Sequence, residues 1–280
     1  MTTLGWSELL SRATAVLAAA GVATPRTDTE WLAATAAGIP RGRLLIADPP
    51  DADTRERFES MVARRGRREP LQYIMGTAPF WRGELAVGPG VFIPRPETEL
   101  LVEWALRALA DRTAPVVVDL CAGSGAIATA ITAERSDATV YAVERDPDAA
   151  AWLRRNLTSG TVIVADATEP STLASLDGTV DAVLSNPPYV PDGIEVPAEV
   201  QADPAAAVFA GADGLAVIRP LTTRIATLLA PGGFTAIEHD DGHGDAVPDL
   251  LRANGFVDVM AHRDLAGRPR FATARRPHRA

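Results

Sequence analysis

Apolar residues recur at helical spacing along residues 1 to 70. Leu4, Leu9, Leu10, Ala13, Val16, Leu17 and Ala20 share one stripe, and Gly21 interrupts it, which predicts an amphipathic helix with a stop. The stretch Thr27 to Glu30 reads as a capping box opening a second helix through Trp31, Leu32 and Thr35 to Gly38. A third helix is expected over about 52–67, with Phe58, Met61 and Val62 facing inward. The grammar then changes. Residues 70–94 carry short apolar runs broken by Gly and Pro, the pattern of a hairpin linker. From about 97 onward strand-like and helix-like segments alternate. Strands are expected at 115–120, 138–144, 161–166, 180–186 and 232–239, with two more at 256–264 and 268–276. Helices are expected at 126–135, 147–157, 214–230 and 244–255. Such alternation implies an α/β fold with a mainly parallel sheet and helices on both faces. The chain thus divides into a helical segment, 1–70, a linker, 71–96, and an α/β domain, 97–280. In sheets of this kind ligands bind outside the carboxyl ends of the strands.

Composition narrows the class. The chain has 280 residues, 47% hydrophobic, 22% charged and 5% aromatic, as in an ordinary globular protein. A net charge of -9 disfavours a broad phosphate-tracking surface. Arg64 to Glu69 is the one dense basic cluster, and it suits either a cation-rich last helical turn or a contact with a partner. The lone Cys121 excludes an intramolecular disulfide and a cysteine-based zinc cage. The start of the chain lacks a basic segment followed by an apolar one. The longest weakly polar run, Pro115 to Thr132, contains Asp119 and two glycines, which argues against a membrane span of about 20 apolar residues. A cytoplasmic location is expected.

Candidate chemistry gathers at the predicted strand ends. Residues Asp119 to Gly125, DLCAGSG, leave the first strand of the α/β domain and enter a helix, and Glu144 closes the next strand. Glycines there let the backbone approach a ligand, and an acid at the second strand end commonly bonds ribose hydroxyls. Asp119 places a carboxylate beside the turn, which suits a ligand with an amino group and a sulfonium better than a pyrophosphate. Asp166 ends the third strand, within reach of an adenine or of a neighbouring backbone amide. Asn186, Pro187, Pro188 and Tyr189 leave the fourth. Pro187 biases Asn186 to an extended backbone and Pro188 does the same to Pro187, so hydrogen-bond acceptors are held stiffly there. His239, Asp240, Asp241 and His243 form a Gly-rich turn whose side chains suit helix capping rather than a metal. The segment around Arg95, Glu97 and Glu99 suits a helix start.

DLCAGSG, Glu144, Asp166 and NPPY, in this order, resemble the class I methyltransferases that use S-adenosylmethionine. The flanking PLQYIMG (70–76), FIPRPETE (92–99), DGL (213–215), IEH (237–239) and HRDLAGRPRF (262–271) narrow the resemblance to the release-factor glutamine methyltransferase family, HemK/PrmC. The resemblance implies S-adenosylmethionine held by Asp119, Cys121, Ala122, Gly123, Ser124, Gly125, Glu144, Asp166, Ala167 and Asn186. It implies catalysis at Asn186, Pro187, Pro188 and Tyr189. It also gives the segment with Phe92, Pro94, Arg95 and Glu97 a second reading, as the lining of the cleft. The implied substrate is the Gly-Gly-Gln loop of class I peptide chain release factors, with no metal, nucleic acid or membrane. Two positions depart from the family pattern. Cys121 stands where Gly is usual, and Ala167 where some members carry an aromatic residue. Adenine-N6 methylation uses the same four-residue device, but no basic or aromatic-rich target-recognition segment is present. A non-catalytic cofactor-binding module and a nicotinamide oxidoreductase are further alternatives; the second leaves NPPY unexplained.

Overall fold

The first helical stripe folds as its spacing requires. The structure, a computed structural model, describes residues 5–278; Leu4 lies outside them. Helix α1 (Trp6–Ala19) buries Trp6, Leu9, Leu10, Ala13 and Leu17. Val16 falls at the rim of that arc and is 53% exposed. Helix α2 (Pro25–Ala37) begins before the expected capping box. Pro25 takes the first helical position, where its missing N–H costs nothing, and Thr24 Oγ1 donates to Asp28 Oδ1 at 2.7 Å. The Thr27-to-Glu30 stretch therefore lies inside the helix, and Glu30 pairs with Arg26 instead of capping. Helix α3 (Ala52–Gly66) starts on Asp51, whose side chain accepts from the Thr54 N–H at 2.8 Å. A short α4 (Leu71–Met75) follows.

The Gly- and Pro-broken stretch holds a two-stranded hairpin, β1 (Thr77–Phe80) and β2 (Gly83–Ala86). Helix α5 (Thr98–Ala108) leads into β3 (Val116–Leu120), α6 (Ala126–Glu134), β4 (Thr139–Glu144), α7 (Pro147–Asn156), β5 (Thr161–Val164) and β6 (Val180–Ser185). Two one-turn helices, α8 (Ala198–Gln201) and α9 (Ala205–Val208), occupy a stretch where the pattern predicts no element. Then come α10 (Ile218–Leu228), β7 (Leu229–Glu238), α11 (Ala246–Ala253), β8 (Val257–Arg263) and β9 (Pro269–Arg275). The seven strands from β3 onward form one sheet in the order β5-β4-β3-β6-β7-β9-β8. Its first five pair in parallel, and β9 runs antiparallel to β7 and β8. Both faces are covered, so β3 is apolar at every position but Asp119 rather than alternating. Val117 packs with Leu101, Ile127 and Ile131 on one side. Val118 packs with Ile218, Leu221 and Ile225 on the other.

The chain forms two units. One comprises the helical region up to Thr77 together with Pro197–Ala202; the other comprises Ala78–Val196 and Asp203 onward. Three of the four arginines of the basic cluster pair inside the first unit, and Arg67 is exposed. Arg65 is buried and bonds Asp28 at 2.7 Å and Glu199 at 2.9 Å. Arg68 reaches the same Glu199 at 2.9 Å, and Arg64 pairs with Glu69. Burial opposes ionisation of Glu199, yet the two guanidinium groups hold its carboxyl down to about 2. The cluster is thus a set of ion pairs that gathers α2, α3 and α8.

Candidate active site

Strand order explains why two motifs far apart in sequence share one place. The sheet grows outward from β3 in one direction through β4 and β5, and in the other through β6 and β7. A crevice opens at such a reversal, beyond the carboxyl ends of the two central strands. Leu120 is the register partner of Ser185, so DLCAGSG and NPPY leave the sheet side by side. The Ser185 hydroxyl donates to the Leu120 carbonyl at 2.6 Å and ties the two exits together.

The first exit is a turn made of backbone donors. Cys121 adopts φ 62°, a left-handed conformation that suits the glycine of the family pattern. Its thiol is pushed up to about 12, first by burial and then by the nearby Glu144 and Asp119, so it stays protonated and unreactive. Glu144 takes the Gly123 N–H on one carboxylate oxygen and the Asp146 N–H on the other, both at 2.8 Å. Gly125 is required twice over: its φ is 85°, and an added Cβ would stand 2.5 Å from Leu153 Cδ1. Ser124 and Ala122 are buried, and the Ser124 carbonyl accepts from Asn156 Nδ2 at 2.9 Å. The same Asn156 exchanges two hydrogen bonds with the Ala86 backbone and pins the hairpin to the turn. Asp119 is buried at the base of the turn. Its Oδ2 accepts the Ala128 N–H at 3.0 Å, while Oδ1 has no partner. Burial pushes its carboxyl up to about 8, with Glu144 adding to the rise. Asp166 bonds the Thr168 hydroxyl and N–H at 2.7 and 2.8 Å, which holds its carboxyl low; of the two contacts open to it from sequence, the backbone amide is present. Ala167 beside it is buried.

This arrangement fits S-adenosylmethionine. An unsatisfied buried carboxylate oxygen on Asp119 suits the cation-bearing amino-acid end, and Glu144 and Asp166 mark two successive strand ends for the nucleoside. Each carboxylate oxygen accepts more than one hydrogen bond, so the backbone bonds of Glu144 leave it free to accept hydroxyls.

The second exit is braced from several sides. Pro187 and Pro188 are buried, and Asn186 and Tyr189 are half-buried. Asn186 Nδ2 donates to Thr98 Oγ1 at 3.2 Å, and Thr98 Oγ1 donates to Glu238 Oε2 at 2.7 Å. The Tyr189 hydroxyl donates to the other oxygen of Glu238 at 3.1 Å. Glu238 is 1% exposed. Burial pushes its carboxyl up to about 7 against the opposing bonds from Thr98 and Tyr189. Past the motif, Val190 bridges Phe209 in parallel. Gly214, with φ 72°, lies so close beneath Tyr189 that an added Cβ would sit 2.3 Å from the Tyr189 carbonyl oxygen and 2.8 Å from His243 Cε1. His243 Nε2 meets the Asp213 carbonyl at 2.9 Å and secures that loop. On the entry side, Asp203 receives the Ile93 N–H at 3.2 Å and pairs with Arg95. The Arg95 guanidinium lies 4.8 Å over the Phe92 ring. Pro94 is buried, and Glu97 stands at the start of α5. Among the described residues no group of three or more His, Cys, Asp or Glu could hold a metal ion. Asp240 caps its own turn by accepting the Gly242 N–H at 2.9 Å.

Residues 8–76 match the PrmC N-terminal domain, and residues 89–207 match the methyltransferase small domain. The release factor glutamine methyltransferase of Mycolicibacterium smegmatis is 52% identical over 271 residues, covering 95% of this chain and 96% of that protein. The chain belongs to the release factor glutamine methyltransferase family. A 4-amino-L-phenylalanine/4-methylamino-L-phenylalanine methyltransferase of Streptomyces pristinaespiralis is 39% identical, covering 89% of this chain and 88% of that protein. The fold also matches the T. thermophilus 16S rRNA methyltransferase RsmC, solved with AdoMet and guanosine, at TM-score 0.53 and 20% identity over 71% of this chain and 49% of that one.

Within this glutamine methyltransferase, sequence reasoning missed Thr98, Asn156, Asp203 and the role of Glu238. The text held a signal for one of them: an acid closing the apolar strand FTAIE is a buried carboxylate at a strand's carboxyl end. Thr98 lies within the FIPRPETE stretch, where only Phe92, Pro94, Arg95 and the two glutamates drew notice, and Asp203 carried no local signal.

Proposed function

We propose that the methyl group goes to the side-chain amide nitrogen, N5, of the glutamine in the Gly-Gly-Gln loop of class I peptide chain release factors. Family membership supplies the reaction class and its donor, S-adenosylmethionine. The observation that supports the acceptor site is the exit of Asn186–Tyr189 from β6 at the register position facing the glycine turn. When bound, the cofactor's sulfonium supplies an electrophilic methyl group. An amide nitrogen is a weak nucleophile because its lone pair is delocalised, so the protein's part is orientation. Holding reacting atoms in line at roughly 3–3.5 Å removes several kcal/mol of barrier. Asn186 Oδ1 accepts one amide hydrogen and a backbone carbonyl of the proline segment the other, which aims the nitrogen and stabilises positive charge as it develops. The Tyr189 ring covers the flat group. Asp119, Cys121–Gly125, Glu144, Asp166 and Ala167 hold the donor; Phe92, Pro94, Arg95 and Glu97 line the cleft. The helical unit positions the protein substrate in the cytoplasm, without nucleic acid or membrane.

The relative from Streptomyces pristinaespiralis acts on an arylamine, another nitrogen conjugated into a flat group. It favours a second reading in which the site orients a planar nitrogen and the surrounding surface selects the substrate. One experiment separates these readings. The protein is incubated with labelled S-adenosylmethionine and a release factor, 4-amino-L-phenylalanine or adenine-containing DNA, and the label is located by mass spectrometry. Label on the Gly-Gly-Gln glutamine is expected; label only on the arylamine or adenine overturns the assignment. Asn186→Ala is expected to keep cofactor binding by calorimetry while turnover falls by about 10² to 10³.

A further inference from the structure

We propose that Thr98 and Glu238 are positioning residues that decide which end of the Asn186 amide faces the substrate nitrogen. The inference rests on the role given to Asn186 above. An asparagine offers an acceptor at one end and a donor at the other. Only the oxygen end holds an N–H of the substrate; the NH2 end repels it. Nothing in Asn186 itself chooses between them, so the choice comes from its neighbour.

With Glu238 ionised, hydrogen-bond bookkeeping fixes the neighbour's state. Ionised Glu238 is acceptor-only, and its two oxygens face two hydroxyls, Thr98 at 2.7 Å and Tyr189 at 3.1 Å. Each hydroxyl has one proton and both point at the carboxylate. Thr98 therefore shows only lone pairs to Asn186, 3.2 Å away. The NH2 end must turn to Thr98, and Oδ1 is left for the substrate. Thr98 and Glu238 are themselves buried, at 2% and 1% exposure, so water does not substitute for either partner. The elements packed around Glu238 contribute Thr98 and Glu97 from the start of α5, Tyr189 after β6 and Arg270 from β9. A neutral Glu238 donates a proton of its own. Directed at Thr98, that proton turns the Thr98 hydroxyl toward Asn186 and inverts the preference.

A double-mutant cycle tests the relay on the full-length protein with a release factor as substrate. Thr98→Val keeps the shape and removes the hydroxyl; kcat is expected to fall about tenfold to a hundredfold, the cost of misplacing a group near the reacting atoms. The dissociation constant for S-adenosylhomocysteine by calorimetry is expected to stay within about twofold. Thr98→Ser is expected to restore kcat. Because Thr98 works through Asn186, the Thr98→Val/Asn186→Ala double variant is expected to be no slower than Asn186→Ala alone. A parent-like kcat for Thr98→Val, with Asn186→Ala slow, overturns the relay and leaves the role of Asn186 standing. Additive losses also overturn it, since Thr98 then acts elsewhere. An Asn186→Ala variant at parent rate sinks the underlying mechanism instead. Should Thr98→Val fail to fold, Thr98→Cys serves in its place: a partial kcat loss supports the relay, and a parent rate overturns it.

Discussion

Glu238 ties catalysis to protons. Its carboxyl is pushed up to about 7, chiefly by burial, with the Thr98 and Tyr189 bonds and Arg270 pulling it down and Glu97 pushing it up. The ionised form directs the relay, so kcat is expected to rise with pH to a plateau above about 7. A pH–rate profile of the parent beside Glu238→Gln checks this, and a parent rate already flat from pH 5.5 to 8 would refute it. Stability runs the other way. A carboxyl raised in the folded state stabilises below its unfolded value of 4.5, and that contribution is lost as pH climbs through about 7. Asp119 adds a second loss between 3.8 and about 8. The ligand-free protein is therefore expected to melt lower at pH 8.5 than at pH 6, and Asp119→Asn to flatten part of that fall. At Cys121, φ 62° places a side chain where L residues pay about 1–2 kcal/mol. Cys121→Gly relieves it at the cost of a looser unfolded chain, so a gain of at most about 1 kcal/mol is expected from thermal melts. The glycine turn, Glu144, Asp166 and NPPY were legible because each is a local word at a strand end. The Thr98–Glu238 bond joins residues 140 positions apart. Sequence displays the two residues but not their meeting.

The alternating apolar segments place the first four parallel strands within a residue or two, because a strand covered on both faces is mostly apolar, whereas β7 starts at Leu229, three residues ahead of the expected 232 and inside the stretch expected to be helix. Helix α2 shows where local rules compete: a proline at the first position sets the start at Pro25, ahead of a capping box that reads correctly on paper. One-turn helices α8 and α9 leave no periodicity to find. What holds NPPY in place is likewise a matter of elements rather than words, since the loop carrying Gly214 meets Tyr189 just ahead of α10, whose Ile218, Leu221 and Ile225 pack on the sheet. Gly214→Ala forces a Cβ to within 2.3 Å of the Tyr189 carbonyl. The backbone must shift, and a strained left-handed position costs about 1–3 kcal/mol besides. Turnover is expected to fall more than tenfold, with S-adenosylhomocysteine affinity nearly unchanged by calorimetry. Equal loss of both would mean that the two strand exits deform together.

Two units with separate cores, one of helices and one around the sheet, imply two responses to ligand. S-adenosylhomocysteine at about 100 times its dissociation constant adds about 2.7 kcal/mol to whatever binds it. In calorimetric unfolding it is expected to raise the transition of the sheet-containing unit and leave a helical transition in place. A single transition that moves as a whole would show the units to be one cooperative block. The boundary has a further property, because the chain crosses it at Thr77, at Val196 and again at Ala202. Glu199, in the six-residue excursion, completes the ion pairs of Arg65 and Arg68. A helical region transplanted from a relative as a simple N-terminal fusion would arrive without the acid its arginines were matched to. Chimeras that exchange the helical region must therefore carry both of its segments, with junctions at Thr77, Val196 and Ala202.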